Sequence, residues 1–302
     1  MPAAPLPCRP LSVAAAPALA AALLAACASS PMPEPAGPPA QEQIVAVSAS
    51  HHLLRFNAGQ PQQVRDRRPL AGLRAGERLV GIDFRVARGQ LYALGASGQV
   101  YRIDVASAQA APVGAGVALP AGGREWGFDF NPTVDRIRVV ADDGSNLRLH
   151  PDTGALVDAD PAAPGVQPDG ALAYDAADSA AGQAPRIVAA AYTYNQRNDR
   201  ITTNYALDGS AGTLVHQGTK EGVTPAVSPN TGRLYTVGAL GTGPFDHAVF
   251  DISDVGNAAY AGVHARGAKA TRWYRIDLAT GRAVFLGTVG GGDPLLGAAI
   301  EP

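Results

Sequence analysis

Cysteine is almost missing from this sequence. The chain has 302 residues but only two cysteines, Cys8 and Cys27. Both lie near the N-terminus, so the rest of the chain can form no internal disulfide bond and cannot use a thiol as a catalytic nucleophile. A folded domain in this chain therefore depends on the burial of apolar side chains for its stability.

Lysine is also scarce, and the common catalytic motifs are absent. Only two of the 24 basic residues are lysines, and the 26 acidic residues leave a formal net charge of −2. This balance provides no basic surface for nucleic acid, so we expect no nucleic-acid partner. The chain contains no Gly-x-Ser-x-Gly, P-loop, His-Glu-x-x-His or Cys-x-x-Cys sequence. These absences exclude the enzyme classes that such motifs define.

The first 26 residues have the composition of an export signal. They contain no acidic residue and one base, Arg9, followed by an apolar run that is too short and too rich in alanine for a membrane span. The run ends in Leu24-Ala25-Ala26-Cys27, which resembles the lipobox of bacterial lipoproteins. This resemblance predicts a signal peptide over residues 1–26 and acyl chains such as palmitate on Cys27. The alternative is ordinary cleavage nearby, with Cys27 incidental.

A proline-rich segment follows this cysteine. Residues 28–43 contain five prolines, which disfavour both helix and sheet. We interpret residues 27–43 as the lipidated cysteine and an extended tether, and residues 44–302 as one folded domain. Ala28 stands after the cysteine in place of Asp, which in such lipoproteins is typical of outer-membrane sorting. The sequence thus predicts an exported protein anchored to the lipid bilayer of the bacterial cell envelope.

Beyond the tether, short strand-like runs repeat. Runs of four to seven residues rich in Val, Ile, Tyr and Phe alternate with Gly, Asp and Asn turns, which predicts an all-β domain. Aspartates mark the period, since Asp83, Asp129 and Asp175 are 46 residues apart and Asp251 lies 48 residues before Ala299. Four strands in about 45–50 residues is the period of a β-propeller blade.

The repeat predicts that the propeller closes on itself. The last strand, residues 295–300, has no blade of its own and is expected to join the N-terminal blade that begins at residue 44, which removes exposed sheet edges. Asp175 and Asp251 are 76 residues apart, so we predict five blades with an inserted hairpin in residues 224–235. Six blades are the alternative count, and two stacked sheets with a C-terminal edge strand are the alternative fold.

One stretch of the repeat carries a family resemblance. Residues 127–140 read Gly-Phe-Asp-Phe-Asn-Pro-Thr-Val-Asp-Arg-Ile-Arg-Val-Val, and residues 146–154 read Asn-Leu-Arg-Leu-His-Pro-Asp-Thr-Gly. Together with Gly81-Ile82-Asp83-Phe84 they resemble the bacterial domain of unknown function 4394, over residues 44–300. The resemblance implies an exported, propeller-like domain. It implies no catalytic residues, because the family has no established activity.

Aspartates recur at equivalent positions of four repeats, namely Asp83, Asp129, Asp175 and Asp251. If the first strand of each blade lines the central channel, their carboxylates share one cavity, where like charges require a cation such as calcium. Ala299 stands at this position in the fifth blade. The alternative is that each carboxylate accepts hydrogen bonds from a neighbouring blade's backbone or from an arginine. Apart from such a calcium ion, no cofactor is expected.

Two further groups of side chains are candidates for ligand binding. Arg136 and Arg138 share one strand face and Arg148 lies on the next strand, so their guanidinium groups could together hold a carboxylate or phosphate. Glu125 and Trp126 begin a blade, where an indole beside a carboxylate suits stacking against a sugar or peptide. Packing of Trp126 in the core is the alternative for that pair. The arginines could instead pair with acids of the same sheet, among Asp135, Asp142, Asp143 and Asp152.

The leading interpretation is a non-enzymatic binding or scaffold module. Membrane anchoring, the tether, the repeats and the missing catalytic motifs all favour a protein that recognises another protein or a small molecule at the mouth of the channel. The alternative is an enzyme, a metal-dependent hydrolase or lactonase that uses the channel carboxylates.

Overall fold

The computed structural model describes residues 1–4 and 34–302. The predicted lipidation site Cys27, and all but the first four residues of the predicted signal peptide, lie outside the described residues. In the part of the chain that is described, no helix combines the length and hydropathy needed to cross a membrane.

The described strands form five sheets, which are antiparallel except for the pairing of β11 with β15 in the fourth. Blade 1 holds β1 (Gln43–Ser48), β2 (His52–Asn57), β3 (Asp66–Pro69) and β20 (Leu295–Ile300). Blade 2 holds β4 (Leu79–Arg85), β5 (Gln90–Gly95), β6 (Val100–Asp104) and β7 (Gln109–Val113). Blade 3 holds β8 (Trp126–Asn131), β9 (Arg136–Ala141) and β10 (Asn146–Leu149). Blade 4 holds β11 (Ala173–Tyr174), β12 (Ile187–Tyr192), β13 (Asn204–Asp208), β14 (Thr213–Gln217) and β15 (Arg233–Ala239). Blade 5 holds β16 (His247–Ile252), β17 (Ala259–His264), β18 (Arg272–Ile276) and β19 (Ala283–Thr288).

The five sheets surround one axis, and the prediction of an all-β propeller with five blades is confirmed. The strands nearest the axis are β20, β4, β8, β12 and β16, and each contacts the next in that order until β16 meets β20 again. Apolar side chains fill the spaces between blades; Tyr92 and Leu94 of blade 2, for example, pack with Phe128 and Val139 of blade 3. Each blade therefore covers the apolar face of its neighbour, which a single four-stranded sheet could not do alone.

Closure of the ring by both ends of the domain is also confirmed. The C-terminal strand β20 pairs antiparallel with β1, so that Ile44 faces Ile300 and Val45 faces Ala299. All six residues of β20 are buried. The first and last strands of the domain thus lie in one sheet, and neither the first nor the last blade is left with an open edge at the axis.

Blade 4 differs from the sequence prediction. Ala173–Tyr174, expected to begin a blade at the axis, is instead a short outer strand that runs parallel to β15. The innermost strand is β12, which is buried along its full length. Residues 224–235 are not an inserted hairpin, because Arg233 starts β15, the fourth strand of the same meander. The 46-residue spacing therefore pointed to an outer strand, whereas the inner strand β12 carries alanine at the position where β4, β8 and β16 carry aspartate.

Part of the predicted tether belongs to the folded domain. The backbone N–H of Ala40 donates to Oδ1 of Asn57 at 2.8 Å, and Asn57 Nδ2 donates back to the Ala40 carbonyl at 2.8 Å. Gln60 Nε2 donates to the carbonyl of Gly37 at 3.0 Å. Several residues before β1 are therefore attached to blade 1, although the chain is too rich in proline there to form a strand.

Glycine allows the inner strands to approach one another. Gly81, Gly127 and Gly297 occupy the same position on β4, β8 and β20, two residues before Asp83, Asp129 and Ala299. A Cβ atom on Gly127 would lie 2.6 Å from the backbone nitrogen of Ala190 on β12, and one on Gly81 would lie 2.5 Å from Cβ of Phe128. These distances are shorter than any normal contact. The close spacing of the inner strands therefore requires glycine, which has no side chain, at these positions.

Replacement of Gly127 by alanine tests this dependence. We expect Gly127→Ala to lower the free energy of unfolding by about 1–3 kcal/mol, because the added methyl group forces two inner backbones apart. Gly256→Ala is the matched control, since a Cβ atom there meets nothing within 4 Å and the backbone is not left-handed. Urea unfolding monitored by tryptophan fluorescence measures both. Equal stabilities for the two variants would contradict the argument.

Candidate functional site

Three of the four aspartates singled out in the repeat meet at the axis. Asp83, Asp129 and Asp251 lie on β4, β8 and β16 and are only 3–8% exposed. One carboxylate oxygen from each lies within 4.8 Å of the others. These three residues are referred to below as the carboxylate cluster.

The cluster joins each inner strand to the next through backbone hydrogen bonds. Oδ2 of Asp83 accepts the N–H of Phe130 in the following blade at 2.7 Å, and Oδ1 of Asp129 accepts that of Tyr192 at 3.0 Å. Asp251 reaches β20 in the same way. Five backbone N–H groups are satisfied by the three carboxylates, those of Phe84, Phe130, Tyr192, Ile252 and Ile300.

The two remaining blades explain why some carboxylates accept twice. Ala191 and Ala299 stand at the aspartate position on β12 and β20 and cannot accept a hydrogen bond. In the blades that follow them, Asp251 and Asp83 use their second oxygen to accept the N–H of their own next residue, Ile252 at 2.6 Å and Phe84 at 2.7 Å. On each of the five inner strands, the N–H of the residue after the aspartate or alanine position therefore has a hydrogen-bond partner. These N–H groups are buried, where an unpaired donor would be costly.

Burial determines the protonation of the cluster. It raises the pKa of Asp83 and Asp129 well above the ordinary value, and neighbouring carboxylate charges add to the effect. Burial likewise raises the pKa of Asp251 to about 7, against the lowering effect of its two backbone hydrogen bonds. The phenol of Tyr194 lies near all three, and burial followed by their charges raises its pKa as well. Within residues 1–4 and 34–302, no arginine or lysine forms an ion pair with the cluster.

A cation would find only part of a coordination shell here. Three carboxylate groups are suitable ligands for calcium, which takes six to eight oxygen atoms. Five of the six oxygens already accept a backbone N–H, and the remaining inner strands offer the methyl groups of Ala191 and Ala299. In the structure these aspartates fill the hydrogen-bonding role that was the alternative to a calcium site, and the calcium site stays a prediction.

Asp175 does not belong to this cluster, which corrects the prediction for the fourth aspartate. It follows the outer strand β11, where it accepts a hydrogen bond from the Tyr235 hydroxyl at 3.2 Å and lies 3.5 Å from Arg233. Its position in the sequence repeat fitted, but its strand lies at the periphery of blade 4. The aspartate-equivalent residue at the axis is Ala191.

The central channel is nearly closed. Its wall consists of glycine, alanine, valine and other apolar residues of the five inner strands, and the space between them measures about 20 Å³. That volume holds about one water molecule. The inner strands therefore leave little space for a substrate along this part of the channel.

The opposite end of the channel holds Glu125 and Trp126. Trp126 is 5% exposed and packs with Phe128 and Phe130 between blades 2 and 3, so its ring offers little surface for stacking. Oε2 of Glu125 lies 2.5 Å from Nδ1 of His247, the first residue of β16. This partner could not be predicted from the sequence, because 122 residues separate the two.

The three arginine candidates gather at one site. Arg138 is fully buried and donates to Oδ2 of Asp169 at 2.5 Å and to Oδ1 of Asn230 at 2.6 Å. Arg148 binds Asp169 through two parallel bonds, Nε to Oδ2 at 2.8 Å and Nη2 to Oδ1 at 2.7 Å. Arg136 donates to the carbonyl of Asp135 at 2.9 Å. The acid that pairs with Arg138 and Arg148 is thus Asp169, which none of the expected pairings included.

The expected partners are used elsewhere. Asp135 and Asp152 both pair with the buried guanidinium of Arg85 on β4. Asp142 accepts the backbone N–H groups of Arg124 and Glu125 at 2.8 and 3.2 Å. Asp169 was missed because it lies in the long connection between β10 and β11, where no strand pattern fixes its position.

A pocket of about 750 Å³ opens beside these arginines. It lies between blades 3 and 4, where blade 3 has only a single bridge, Leu149 to Leu156, in place of a fourth strand. The loops that follow β12 and β14 form its other wall. Its lining contains five basic side chains and one acid, namely Arg136, Arg138, Arg148, Arg200, Lys220 and Glu221.

The fold and this site define a class of protein, a five-bladed β-propeller with a closed axis and a basic pocket between two blades. The chain belongs to the family described as Domain of unknown function (DUF4394), whose model matches residues 52–299. The family resemblance noted in the sequence is thereby confirmed. A comparison with curated proteins finds no match.

Comparison with solved structures finds other chains of similar architecture. A chain of a nidogen/laminin complex has a TM-score of 0.46 at 10% identity, covering 86% of this chain and 98% of that one. A structural genomics protein of unknown function from Bacteroides thetaiotaomicron has a TM-score of 0.44 at 13% identity, covering 80% of this chain and 56% of that one. A proposed 6-phosphogluconolactonase from Bacteroides uniformis has a TM-score of 0.38 at 13% identity, covering 82% of both chains. Similarities at this level carry no argument about function.

Substitutions in the carboxylate cluster distinguish its members. Asp83→Asn places an amide N–H against a backbone N–H. We expect this variant to lower the free energy of unfolding by about 1–3 kcal/mol. Asp129→Asn keeps its single accepted bond through Oδ1 while removing one buried charge, so it should raise stability at about pH 8. Urea unfolding of each variant beside the native chain measures the two opposite effects.

The pH dependence has a definite sign. Folding raises the pKa of Asp251 from 3.8 to about 7, so the folded state binds more protons in this interval. The resulting stability is complete below pH 3.8 and is lost as pH rises through about 7. Asp129→Asn should reduce this loss. A calcium-dependent gain in stability that Asp129→Asn abolishes would instead identify a cation site.

Proposed function

We propose that this protein is a lipid-anchored binding module of the cell envelope that takes an anionic ligand in the pocket between blades 3 and 4. The observation that carries the proposal is the lining of that pocket, five basic side chains against one acid around about 750 Å³. This volume lies within the range of about 300–1,000 Å³ that is common for small-molecule sites.

The floor of the pocket is rigid and carries a net positive charge. The Asp169 side chain is completely buried and holds both Arg138 and Arg148, so one negative charge faces two positive ones. Two bonds between Arg148 and Asp169 occupy Nε and Nη2, and among the described residues Nη1 has no hydrogen-bond partner. A guanidinium that is already oriented loses little entropy when it binds a carboxylate or phosphate.

The rim of the pocket adds charges that are more accessible. Arg200 is exposed, while Arg136 and Lys220 are half-buried. Val134 and Val223, also in the lining, are 55% and 49% exposed. This combination suits a ligand with an acidic group and an apolar body, the first held by the arginines and the second by the valines.

A binding role has more support than a catalytic one. The hydrolase alternative needs carboxylates that a substrate can reach, whereas the carboxylate cluster accepts backbone N–H groups beside a void of about 20 Å³. Catalysis in the pocket itself would need a general base, and its one acid, Glu221, already accepts a hydrogen bond from Asn195 at 3.3 Å. The basic pocket is suited to hold an anion without transforming it.

Membrane attachment rests on the sequence. Leu24-Ala25-Ala26-Cys27 has the lipobox pattern, and attached acyl chains would contribute about 0.8 kcal/mol for each buried CH₂ group. Ala28 after the cysteine favours the outer membrane. Such an anchor would hold the binding site in the envelope at the surface of the bilayer.

Binding of simple anions tests the pocket. Inorganic phosphate and citrate are the probes, titrated into the folded domain and followed by isothermal calorimetry and by amide chemical shifts. We expect the double variant Arg136→Gln/Lys220→Gln to weaken binding about tenfold or more, because two favourable charges are lost. The largest shifts should lie in the loops after β12 and β14.

Arg282→Gln is the control for the loss of charge alone. Arg282 is exposed in the β18–β19 turn of blade 5 and does not line the pocket. Its replacement should leave probe binding unchanged. Binding that survives the double variant, or that weakens equally in the control, would contradict the assignment of the pocket.

Cys27→Ser tests the anchor. We expect the variant to move from the membrane fraction to the soluble fraction of the envelope, because serine cannot be lipidated by the thioether route. Cell fractionation followed by mass spectrometry of the N-terminal peptide makes the measurement. Unchanged membrane association of the variant would contradict lipidation at this residue, and replacement of Cys8 provides the control.

A further inference from the structure

The segment before β1 is bound along the junction between the first and the last blade. Oε2 of Glu34 accepts the backbone N–H of Thr288, the last residue of β19 in blade 5, at 2.6 Å, and Oε1 accepts its hydroxyl at 2.9 Å. The hydroxyl of Tyr260, also in blade 5, donates to Oε2 of Glu42 at 2.9 Å. The bonds to blade 1 described above complete the attachment. Residues 34–43, called the strap below, therefore bind both blades at the seam of the ring.

The first contact of the strap is close in sequence to the predicted lipidation site. Glu34 follows Cys27 by seven residues. Seven residues of a chain span at most about 25 Å, so an acyl anchor on Cys27 keeps Glu34 within that distance of the bilayer. A compact domain of about 270 residues is about 45–50 Å across. Blade 3, which is two blades from the seam in either direction, therefore lies beyond the reach of this anchor.

The strand that binds Glu34 has an exposed apolar rim. β19 is the outermost strand of blade 5. Val284 and Phe285 are consecutive residues of this strand and are 52% and 39% exposed. Exposed apolar side chains next to a membrane anchor are suited to the boundary between lipid headgroups and acyl chains.

Basic side chains accompany this apolar rim. The β18–β19 hairpin, residues 272–288, contains three basic residues and one acid, namely Arg272, Arg275, Arg282 and Asp277. The guanidinium of Arg272 lies 4.4 Å from the ring centre of Phe285. Among the residues that the structure describes, none of the three arginines forms an ion pair. Their charge is therefore available to the phosphates of anionic lipids.

We propose that the outer edge of blade 5 faces the lipid bilayer and that the strap holds it there. This edge consists of Arg272, Arg275, Arg282, Val284 and Phe285. The proposal rests on the lipid anchor at Cys27 that is part of the proposed function. The two apolar side chains enter the headgroup region, and the arginines extend their guanidinium groups to the lipid phosphates. The strap makes this orientation a property of the folded domain, because its hydrogen bonds attach the anchored end of the chain to this edge.

This orientation separates the basic pocket from the bilayer. The blades follow one another in chain order around the axis, with the seam between blades 5 and 1. The pocket between blades 3 and 4 lies across the ring from that seam. Its basic side chains then face the aqueous phase and are not occupied by anionic headgroups. A water-soluble anion, and not a lipid headgroup, is the ligand that this placement favours.

Fluorescence quenching on the lipidated protein tests the orientation. The variants Val284→Cys and Val134→Cys carry a bimane label at similarly exposed positions, 52% and 55%, and Val134 lies in blade 3 beside the basic pocket. A processed lipoprotein offers no other thiol, because Cys8 leaves with the signal peptide and the sulfur of Cys27 is bound to lipid. The vesicles contain phosphatidylethanolamine, phosphatidylglycerol and a lipid with a nitroxide on its headgroup, which quenches bimane at short range.

We expect quenching at position 284 to be at least about three times as strong as at position 134, because most of the width of the domain separates blade 3 from the bilayer. Equal quenching at the two positions, or stronger quenching at position 134, would overturn the orientation. Flotation of the same vesicles separates this result from failure of the anchor. Protein that floats without the expected difference contradicts the orientation alone, whereas protein that does not float contradicts the anchor and the orientation together.

Removal of charge tests the edge itself. In the Val284→Cys protein, Arg272→Gln/Arg282→Gln should reduce quenching by about half or more, because two contacts with anionic headgroups are lost. Arg124→Gln/Arg197→Gln is the matched control. These two arginines are exposed in blades 3 and 4, do not line the basic pocket, and form no ion pair within the described residues. Quenching that survives the first double variant, or that falls equally in both, would overturn the assignment of this edge.

Discussion

Backbone N–H groups at the axis of this propeller are satisfied by buried carboxylates, three of them by an aspartate of the preceding blade and two by the aspartate just before them in the same strand. The residues that carry these N–H groups are buried, so each inner strand would otherwise carry an unpaired donor. Three aspartates serve five strands because two of them accept twice, next to blades where alanine replaces aspartate. The consequence is a set of buried acidic groups with raised pKa values. The arrangement of the blades thus depends on these hydrogen bonds and on the glycines that let the strands meet.

The side chains of the inner strands leave little space along the axis, so the candidate ligand site lies away from it, between blades 3 and 4. In this chain the space for a ligand arises where blade 3 lacks a regular fourth strand and blade 4 has long loops. Asp169 orients two arginines at the floor of that space, and further basic groups surround it. The two ends of the axis carry different polar contacts, the carboxylate cluster near Tyr194 at one end and the hydrogen bond between Glu125 and His247 at the other.

Sequence repeats predicted much of this architecture. The Gly-x-Asp pattern at Gly81–Asp83 and again at Gly127–Asp129 marked two inner strands correctly, and the unpaired last strand indicated closure. The prediction for Asp175 was wrong. Tyr174 of the outer strand β11 and the Asp175 that follows it have the spacing of the repeat, but they do not lie on an inner strand. The true inner strand of blade 4 is a run of valine and alanine, which packs well at the axis and carries no distinguishing residue.

The sequence by itself determined the all-β class, the blade period and the closure of the ring, because each depends on residues close together in the chain or on a fixed interval. The tertiary structure alone decided which acids meet at the axis, that Asp169 is the partner of Arg138 and Arg148, and that His247 reaches Glu125. These contacts join distant segments. Their geometry exists only after five blades have packed around one axis, which local patterns do not encode.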